Sequence, residues 1–443
     1  MNACILLVLV CAAAPAEGPL RLSMDQSVRV ALGESEEVRS AALDVTKARG
    51  LIVEARSAAL PRVDALVGYA RVSGIPGMSD FKDAGIPLPG VDESYSSSLT
   101  ITQAIYQGGL VRAGLEAARL SASQAETGHE LARTGTAYAV RAAYAAVRLR
   151  EEFAEVAAEA AGLARRHLTD VEARRAAGTV TDFEVLQARV QVRNAETAEV
   201  QARAAVDLAR AFFLRGIGLG QGRELVLMDE LDYRPAEPPS LADLIESAAD
   251  SAGGGLRAEL RSLDIGIRLQ ELAVRVSTAG RRPMVGFQAS WFASSSHDWF
   301  DDQYEYDWRA GLTIALPVFD GLAAAGKRRQ AFAALEQLRL RRQSLLRDIE
   351  YQLRSALSRV RTSREAVESQ VENVAQAQEA VRQAEVRYKN EMISEIVVRE
   401  AQLGLTQART SYAQAVFEHF MATLDLDLAA GRLAVPPQAD AGG

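Results

Sequence analysis

Two periodicities alternate along the chain. In its second half Leu346, Leu353, Val360, Val367, Val374, Val381 and Tyr388 recur every seven residues. Ile349, Ala356, Ser363, Gln370, Ala377 and Ala384 follow three positions behind them. Such a stripe predicts a long amphipathic helix whose apolar seam needs a lateral partner. In the first half Val140, Val147, Ala154, Ala161 and Leu168 hold the same phase at an offset of 213 residues, with Ala143, Ala157, Ala164 and Val171 three positions after members of that row. The heptads resume beyond short breaks at 178–181 and 391–394. Ala188, Ala195, Ala202 and Ala209 then form one row beside Val185, Val192, Val206 and Phe213, and Ala401, Ala408, Ala415 and Ala422 answer in the second half. Alanine is the best helix former, so one such row could be ordinary composition. Two rows at one common offset predict seams of close helix approach instead. Each half therefore predicts a long helix (about 110–177 and 322–390), a tight break and a shorter returning helix. At 1.5 Å per residue each long helix would span roughly 100 Å.

Before each long helix the period falls to two. Tyr304, Tyr306, Trp308, Ala310, Leu312, Ile314, Leu316 and Val318 share one face, and Glu305, Asp307, Arg309, Gly311, Thr313 and Ala315 the other. Residues 285–293 alternate too, with Val285, Phe287, Ala289 and Trp291 against Gly286, Gln288 and Ser290. The first half offers 63–73 (Val63, Ala65, Val67, Tyr69) and 95–106 (Tyr95, Leu99, Ile101, Ile105). Turn-forming residues between the members of each pair, Gly74, Pro76, Gly77, Gly85, Pro87, Pro89 and Gly90 in the first, predict one hairpin per half. Strands of this length can cross a bilayer at a tilt. Trp291, Trp299, Tyr304 and Trp308 cluster in the second hairpin, as suits residues at a membrane interface. A soluble sandwich could bury the same faces. Four strands cannot close a barrel alone, and open edges in hydrocarbon would leave amides unpaired. The membrane reading thus requires several chains, and a trimer would supply twelve strands.

Composition narrows the function. The 443 residues would suggest about three domains by length alone. The formal net charge is −8, against a general nucleic-acid binder. The two cysteines, Cys4 and Cys11, both fall in the first eleven residues, so the body can hold no disulfide and no cysteine-ligated metal. Ile5–Val10 followed by Ala14-Pro15-Ala16 reads as a secretory signal cleaved before Glu17, although no Lys or Arg precedes its apolar run. Val10 ahead of Cys11 disfavours a lipid attachment. His129, His167, His297 and His419 are far apart, none in a helical i, i+4 pair, and no hydrolase, zinc-protease or P-loop motif is present. No catalytic constellation, cofactor or metal site is expected.

In order and spacing, these features resemble the TolC family of bacterial outer-membrane efflux and export channels. Leu60-Pro61 and Pro283 stand before the first strand of each copy, and AIYQGG (104–109) and LPVFDG (316–321) before each long helix. The tip motif G-x-x-[ST]-x-x-[DE]-[VL]-L-x-A is met by Gly178, Thr181, Glu184, Val185, Leu186 and Ala188. The second copy matches at Ser394, Val398 and Ala401, and departs at Glu391, Val397 and Arg399. FFLRGIGLG (212–220) and LAAGRL (428–433) look like the family's helix ends.

The resemblance implies a mostly α fold with a small β part: long antiparallel coiled-coil helices in two tandem repeats, each with a β-hairpin. A homotrimer would form a twelve-strand transmembrane barrel in the outer-membrane lipid above a twelve-helix periplasmic barrel. The division expected is signal peptide 1–16, helices 17–60, membrane hairpin 61–106, helical hairpin 107–215, crossover 216–239, helices 240–282, membrane hairpin 283–319, helical hairpin 320–428 and tail 429–443. Gly178, Thr179, Val180, Thr181, Glu391, Met392, Ile393 and Ser394 would meet a periplasmic adaptor coupled to an inner-membrane pump. Of the family's two entrance carboxylates the distal matches Glu400, while Val397 occupies the other position; the entrance-gate candidates are Glu184, Glu395 and Glu400, with Glu391 nearby. These carboxylates could equally be solvated helix-end charges. The competing function is a periplasmic coiled-coil adaptor or scaffold, which would usually carry one helical hairpin rather than two in register.

Overall fold

The seven-residue stripes become two long helices in the computed structural model, which describes residues 19–71, 93–220, 222, 224–233, 235, 237–249, 257–295, 305–390 and 392–436. In chain order the elements are β1 (Leu20–Leu22), α1 (Met24–Glu34), α2 (Glu36–Ser57), β2 (Arg62–Arg71), β3 (Glu93–Gln107), α3 (Leu110–Ala176), α4 (Asp182–Gly216), β4 (Leu225–Leu227), α5 (Leu241–Ala249), α6 (Ala258–Val276), β5 (Met284–Ser295), β6 (Glu305–Ala315), α7 (Ala323–Lys389) and α8 (Glu395–Ala429), with a turn of 3-10 helix at Ala279–Arg281. They fall into two compact units. One takes the described parts of Met1–Ala41, His129–Glu259 and Leu345–Gly443; the other takes Ala42–Gly128 and Leu260–Ser344.

In the first unit the stripes are the buried seams. Ala137, Val140, Tyr144, Val147, Ala161, Ala164 and Val171 of α3 are buried, as are Ile349, Leu353, Ala356, Val360, Val367, Val381 and Ala384 of α7. The alanine row of α8 is buried at Ala408, Ala415 and Ala422. In α4 the larger row carries the seam through Val192, Val206 and Phe213, with Ala188 the fully buried alanine.

The largest core cluster gathers Val28, Ala31 and Leu32 of α1, Val140, Tyr144 and Val147 of α3, Phe213 of α4, Leu225 and Leu227 of β4, and Leu424 of α8. The stretch read as a plain crossover therefore contains β4, which pairs in parallel with β1 through Leu20↔Leu225, Arg21↔Val226 and Leu22↔Leu227. Tyr144 is 0% exposed and stands edge-on to Phe213 at 5.9 Å. Its hydroxyl accepts a hydrogen bond from the Asp229 backbone N–H at 2.8 Å. Tyr144→Phe would leave that N–H without its hydroxyl partner, at a cost of about 1–3 kcal/mol. A melting curve should show the loss. An unchanged midpoint would mean that the crossover is not tied through this hydroxyl.

The second unit holds one antiparallel sheet of four strands in the order β2-β3-β5-β6. The registers put the apolar rows of all four strands on one face. Val63↔Ile101, Ile101↔Ala289 and Ala289↔Ala310 make one cross-strand row; Ala65↔Leu99, Leu99↔Trp291 and Trp291↔Trp308 make the next. The other face carries Asp64, Thr100, Ser290 and Arg309 in a third row. Among its apolar exceptions, Leu66 and Phe292 share a row with Ser98 and Asp307, and Met284 pairs with Ala315 at the strand ends.

Two sequence expectations need correction. Ile105 does not continue the alternation, because the register of β3 on β5 shifts between Ala104 and Tyr106. One residue is inserted there, and Tyr106 pairs with Val285 in its stead. The last strand stops at Ala315 rather than Val318, since Pro317 has no N–H to give the ladder.

Glycine-bearing turns lead into both long helices. Gly108 has φ +62° and its carbonyl accepts from the Arg282 guanidinium at 3.0 Å. A Cβ on Gly108 would lie 2.7 Å from the Ala279 carbonyl oxygen. At the second copy the Asp320 carboxylate accepts from the Leu322 and Ala324 N–H groups, capping α7. The Ala324 N–H, the largest cause, holds Asp320 below the usual carboxylate range.

Candidate functional site

The two breaks between long and returning helices lie in the first unit and are built differently. α3 ends in a Schellman motif: the Gly178 N–H donates to Arg175 O at 3.0 Å, and the Thr179 N–H to Arg174 O at 3.1 Å. The motif needs a left-handed residue, and Gly178 supplies it at φ +78°. Thr181 then caps α4. Its hydroxyl takes the Glu184 N–H at 3.4 Å, while the Glu184 carboxylate takes the Thr181 N–H at 2.7 Å. Arg175 grips Asp182 across the turn and, chiefly through hydrogen bonding, keeps its carboxyl below the usual range.

At the second break the Met392 N–H donates to Arg387 O at 2.9 Å, repeating the closing bond. Ser394 is extended at φ −80°, but its side chain makes no capping bond. The reciprocal acid is missing because Val397 stands where the first tip has Glu184. Glu395, the counterpart of exposed Asp182, is 7% exposed. Its Oε1 lies 3.1 Å from Nε2 of His167 on α3, itself 8% exposed. Its Oε2 is buried with no hydrogen-bond partner. Beside this pair the Arg174 guanidinium lies 4.3 Å from the Tyr388 ring centroid. Burial above all raises the Tyr388 phenol, against the lowering effect of Arg174.

Two recesses flank the tips. One, of about 670 Å³, is apolar and lined by Phe183, Leu186 and Val190 of α4 and Leu403 of α8. The other, of about 440 Å³, is lined by Arg166, His167, Asp170 and Arg174 of α3, Glu385, Tyr388 and Lys389 of α7, and Gln402 of α8.

The sequence-derived candidates are thus distributed unevenly. Gly178, Thr179 and Thr181 shape the first tip, Val180 is half-buried there, and Met392, Ile393 and Ser394 form the second. Glu184 is engaged in the cap and Glu400 is exposed on α8. Glu395 is not a solvated helix-end charge, because α3 covers it and His167 bonds it. The sequence pattern alone assigns His167 no role. Its one signal was a titratable side chain beside a heptad seam, next to Leu168. Trp291 and Trp308 pair across β5 and β6, with Trp308 75% exposed on the apolar face. Glu391, Trp299 and Tyr304 lie outside the described residues.

The fold is similar to that of solved outer-membrane channels. CusC aligns with 14% identity over 95% of this chain and 95% of its own, at a TM-score of 0.77. The CmeC outer membrane channel of Campylobacter jejuni aligns with 16% identity over 92% of this chain and 85% of its own, at 0.78. The outer membrane protein VceC of Vibrio cholerae aligns with 18% identity over 92% and 96%, at 0.75. No curated protein sequence matches the chain. The family of outer membrane efflux proteins matches residues 28–214 and 256–432, taking in both long helices and both returning ones. With its two repeats, its two hairpin tips and its amphipathic sheet, this chain belongs to the outer membrane efflux protein family.

Proposed function

We propose that three copies of this chain form a passive exit duct through the outer membrane, opened from the periplasm by an adaptor protein and an inner-membrane pump. The observation that carries this is the open four-stranded sheet with one apolar face. Among the described residues its edge strands, β2 and β6, have one sheet neighbour each. In hydrocarbon every edge amide needs a partner, and closing three such sheets end to end supplies it. Segments 61–106 and 283–319 are then the membrane part, and helical hairpins 107–215 and 320–428 the periplasmic part. The duct works without cofactor, metal or catalysis; selection rests on width and lining charge. A drug-efflux assembly and a type I secretion system both fit.

In this reading the tips, Gly178, Thr179, Val180 and Thr181 with Glu391, Met392, Ile393 and Ser394, meet the adaptor. Glu400 contributes the entrance charge. A planar bilayer tests both levels. Wild-type protein should give discrete channel steps, and Glu400→Ala should raise their conductance by removing a constricting ring of side chains. Unaltered steps would take Glu400 out of the entrance, and no steps at all would overturn the duct.

A further inference from the structure

We propose that Arg309 is a specificity-determining residue: its guanidinium, one from each of three chains, rings the lumen of the duct and favours cargo that carries an oxyanion, a carboxylate or a phosphate. The proposal rests on the reading of the sheet as one third of a closed barrel.

The face comes first. Ser290 of β5 stands opposite Arg309 of β6, and Thr100 of β3 and Asp64 of β2 complete that row on the polar face. In a closed barrel the apolar face of the sheet meets lipid, so the polar face turns inward. Arg309 is the fifth of the 11 residues of β6, well inside the strand. An ionisable side chain at membrane depth is costly, and where it occurs it marks a path for ions or substrate.

Its neighbours leave it unmatched. A guanidinium offers five N–H donors and needs acceptors. Arg309 is exposed, and among the described residues it has no hydrogen-bond or ion-pair partner. Ser290 cannot serve. Its Oγ already accepts from Thr100 Oγ1 at 3.3 Å and from Gln288 Nε2 at 3.4 Å, which takes up both lone pairs. Asp64 accepts from Arg62 of its own strand at 2.9 Å. Gly311, next along the face, has no side chain to offer. Asp307 and Glu305 follow in the other direction, at steps of about 7 Å along the strand. They set a negative field at a different height in the lumen. The effect of Arg309 is therefore read as a shift between variants and not from the absolute selectivity of the duct.

The dimensions make the charge count. Twelve strands about 4.8 Å apart and tilted by about 40° close a barrel roughly 24 Å across. The Debye length is about 10 Å at 0.1 M salt, so cations on the wall act over most of the lumen. Three of them at about 10 Å from an ion near the axis, screened by water and salt, favour an anion over a cation by about fourfold. A carboxylate or phosphate that reaches the wall gains more, because the guanidinium fork binds either through two parallel hydrogen bonds.

Reversal potentials of the full chain in a planar bilayer, under a KCl gradient kept at or below about 0.1 M, test the ring. Arg309→Gln should lower the ratio of chloride to potassium permeability about fourfold, and Arg309→Glu should lower it further. Arg309→Lys should keep the wild-type ratio. Inorganic tripolyphosphate, as the oxyanion probe, should interrupt the wild-type current, do so more briefly in Arg309→Lys, which lacks the fork, and leave Arg309→Gln unblocked. Equal reversal potentials in wild type and Arg309→Gln would overturn the proposal, and so would a tripolyphosphate block that persists in Arg309→Gln. If Arg309→Gln forms no trimer, Arg309→Ser makes the same neutralisation with the residue type of its neighbour Ser290. Channel steps with unmoved selectivity would leave the duct standing without the arginine ring. An absence of steps in the wild type would overturn the duct itself, and the ring with it.

Discussion

Arginine at position 310 should abolish the heat-sensitive trimer in the outer-membrane fraction, whereas arginine one residue along, at 311, should leave it intact. Ala310 lies mid-strand in β6 on the apolar face, opposite Ala289, in the row that continues to Ile101 and Val63. Trp308 and Leu312 flank it on the same face. A charged Arg at the bilayer midplane on a lipid-facing strand costs about 2–4 kcal/mol. A trimer repeats that cost in each copy, for roughly 6–12 kcal/mol in all. This is comparable to the whole stability of a typical domain, about 5–15 kcal/mol. Gly311 points the other way, opposite Gln288 and beside Arg309 and Thr313. A Cβ built there meets nothing within 4 Å. Substitution at 311 should therefore cost little and change conductance instead. The pair is informative because the two positions are adjacent in β6 and present opposite faces. A lost trimer at 311 with a normal one at 310 would invert the assignment of faces. Normal trimers for both would remove the sheet from the membrane.

The legible parts of this fold are those with local periodicity. The heptad stripes gave long helices at about 110–177 and 322–390, and α3 and α7 run Leu110–Ala176 and Ala323–Lys389. Period-two alternation exposed all four strands of the sheet because each carries a mostly apolar face, although Ser97 and the bulge interrupt it in β3. What sequence could not show depends on partners far along the chain. The bulge at Ile105 exists only because β3 pairs with β5. The β1–β4 pairing joins two three-residue strands, too short for any alternation to register. The site follows the same rule. Gly178 and Thr181 announced themselves by a local motif. Glu395 looked like any carboxylate at a helix start, and only the packing of α3 against α8, bridging a sequence separation of 228, turns it into the buried partner of His167.

Gly178→Arg should abolish export while trimers form normally, and Gly178→Ala should leave both export and trimers intact. The first tip closes through a left-handed residue at φ +78°, and any side chain there bears a penalty of about 1–2 kcal/mol for its Cβ. That strain is common to both substitutions. Nothing lies within 4 Å of the added Cβ, so neither side chain is forced against the body of the protein. The two Schellman bonds, from Gly178 to Arg175 and from Thr179 to Arg174, use only backbone atoms and survive in both variants. The variants differ in what they present to a docked partner. Arginine places an unpaired cation on a tip that is otherwise uncharged between Gly178 and Thr181, where the proposed adaptor would dock. A desolvated, unmatched charge at an interface costs about 2–5 kcal/mol, enough to weaken docking by well over tenfold. Drug susceptibility of cells carrying each variant, read beside the amount of trimer in their outer membranes, separates docking from assembly. Export retained in the arginine variant would place the adaptor elsewhere. Loss of trimer in the alanine variant would show instead that this turn is needed for folding, and the tip would lose its claim as a docking point.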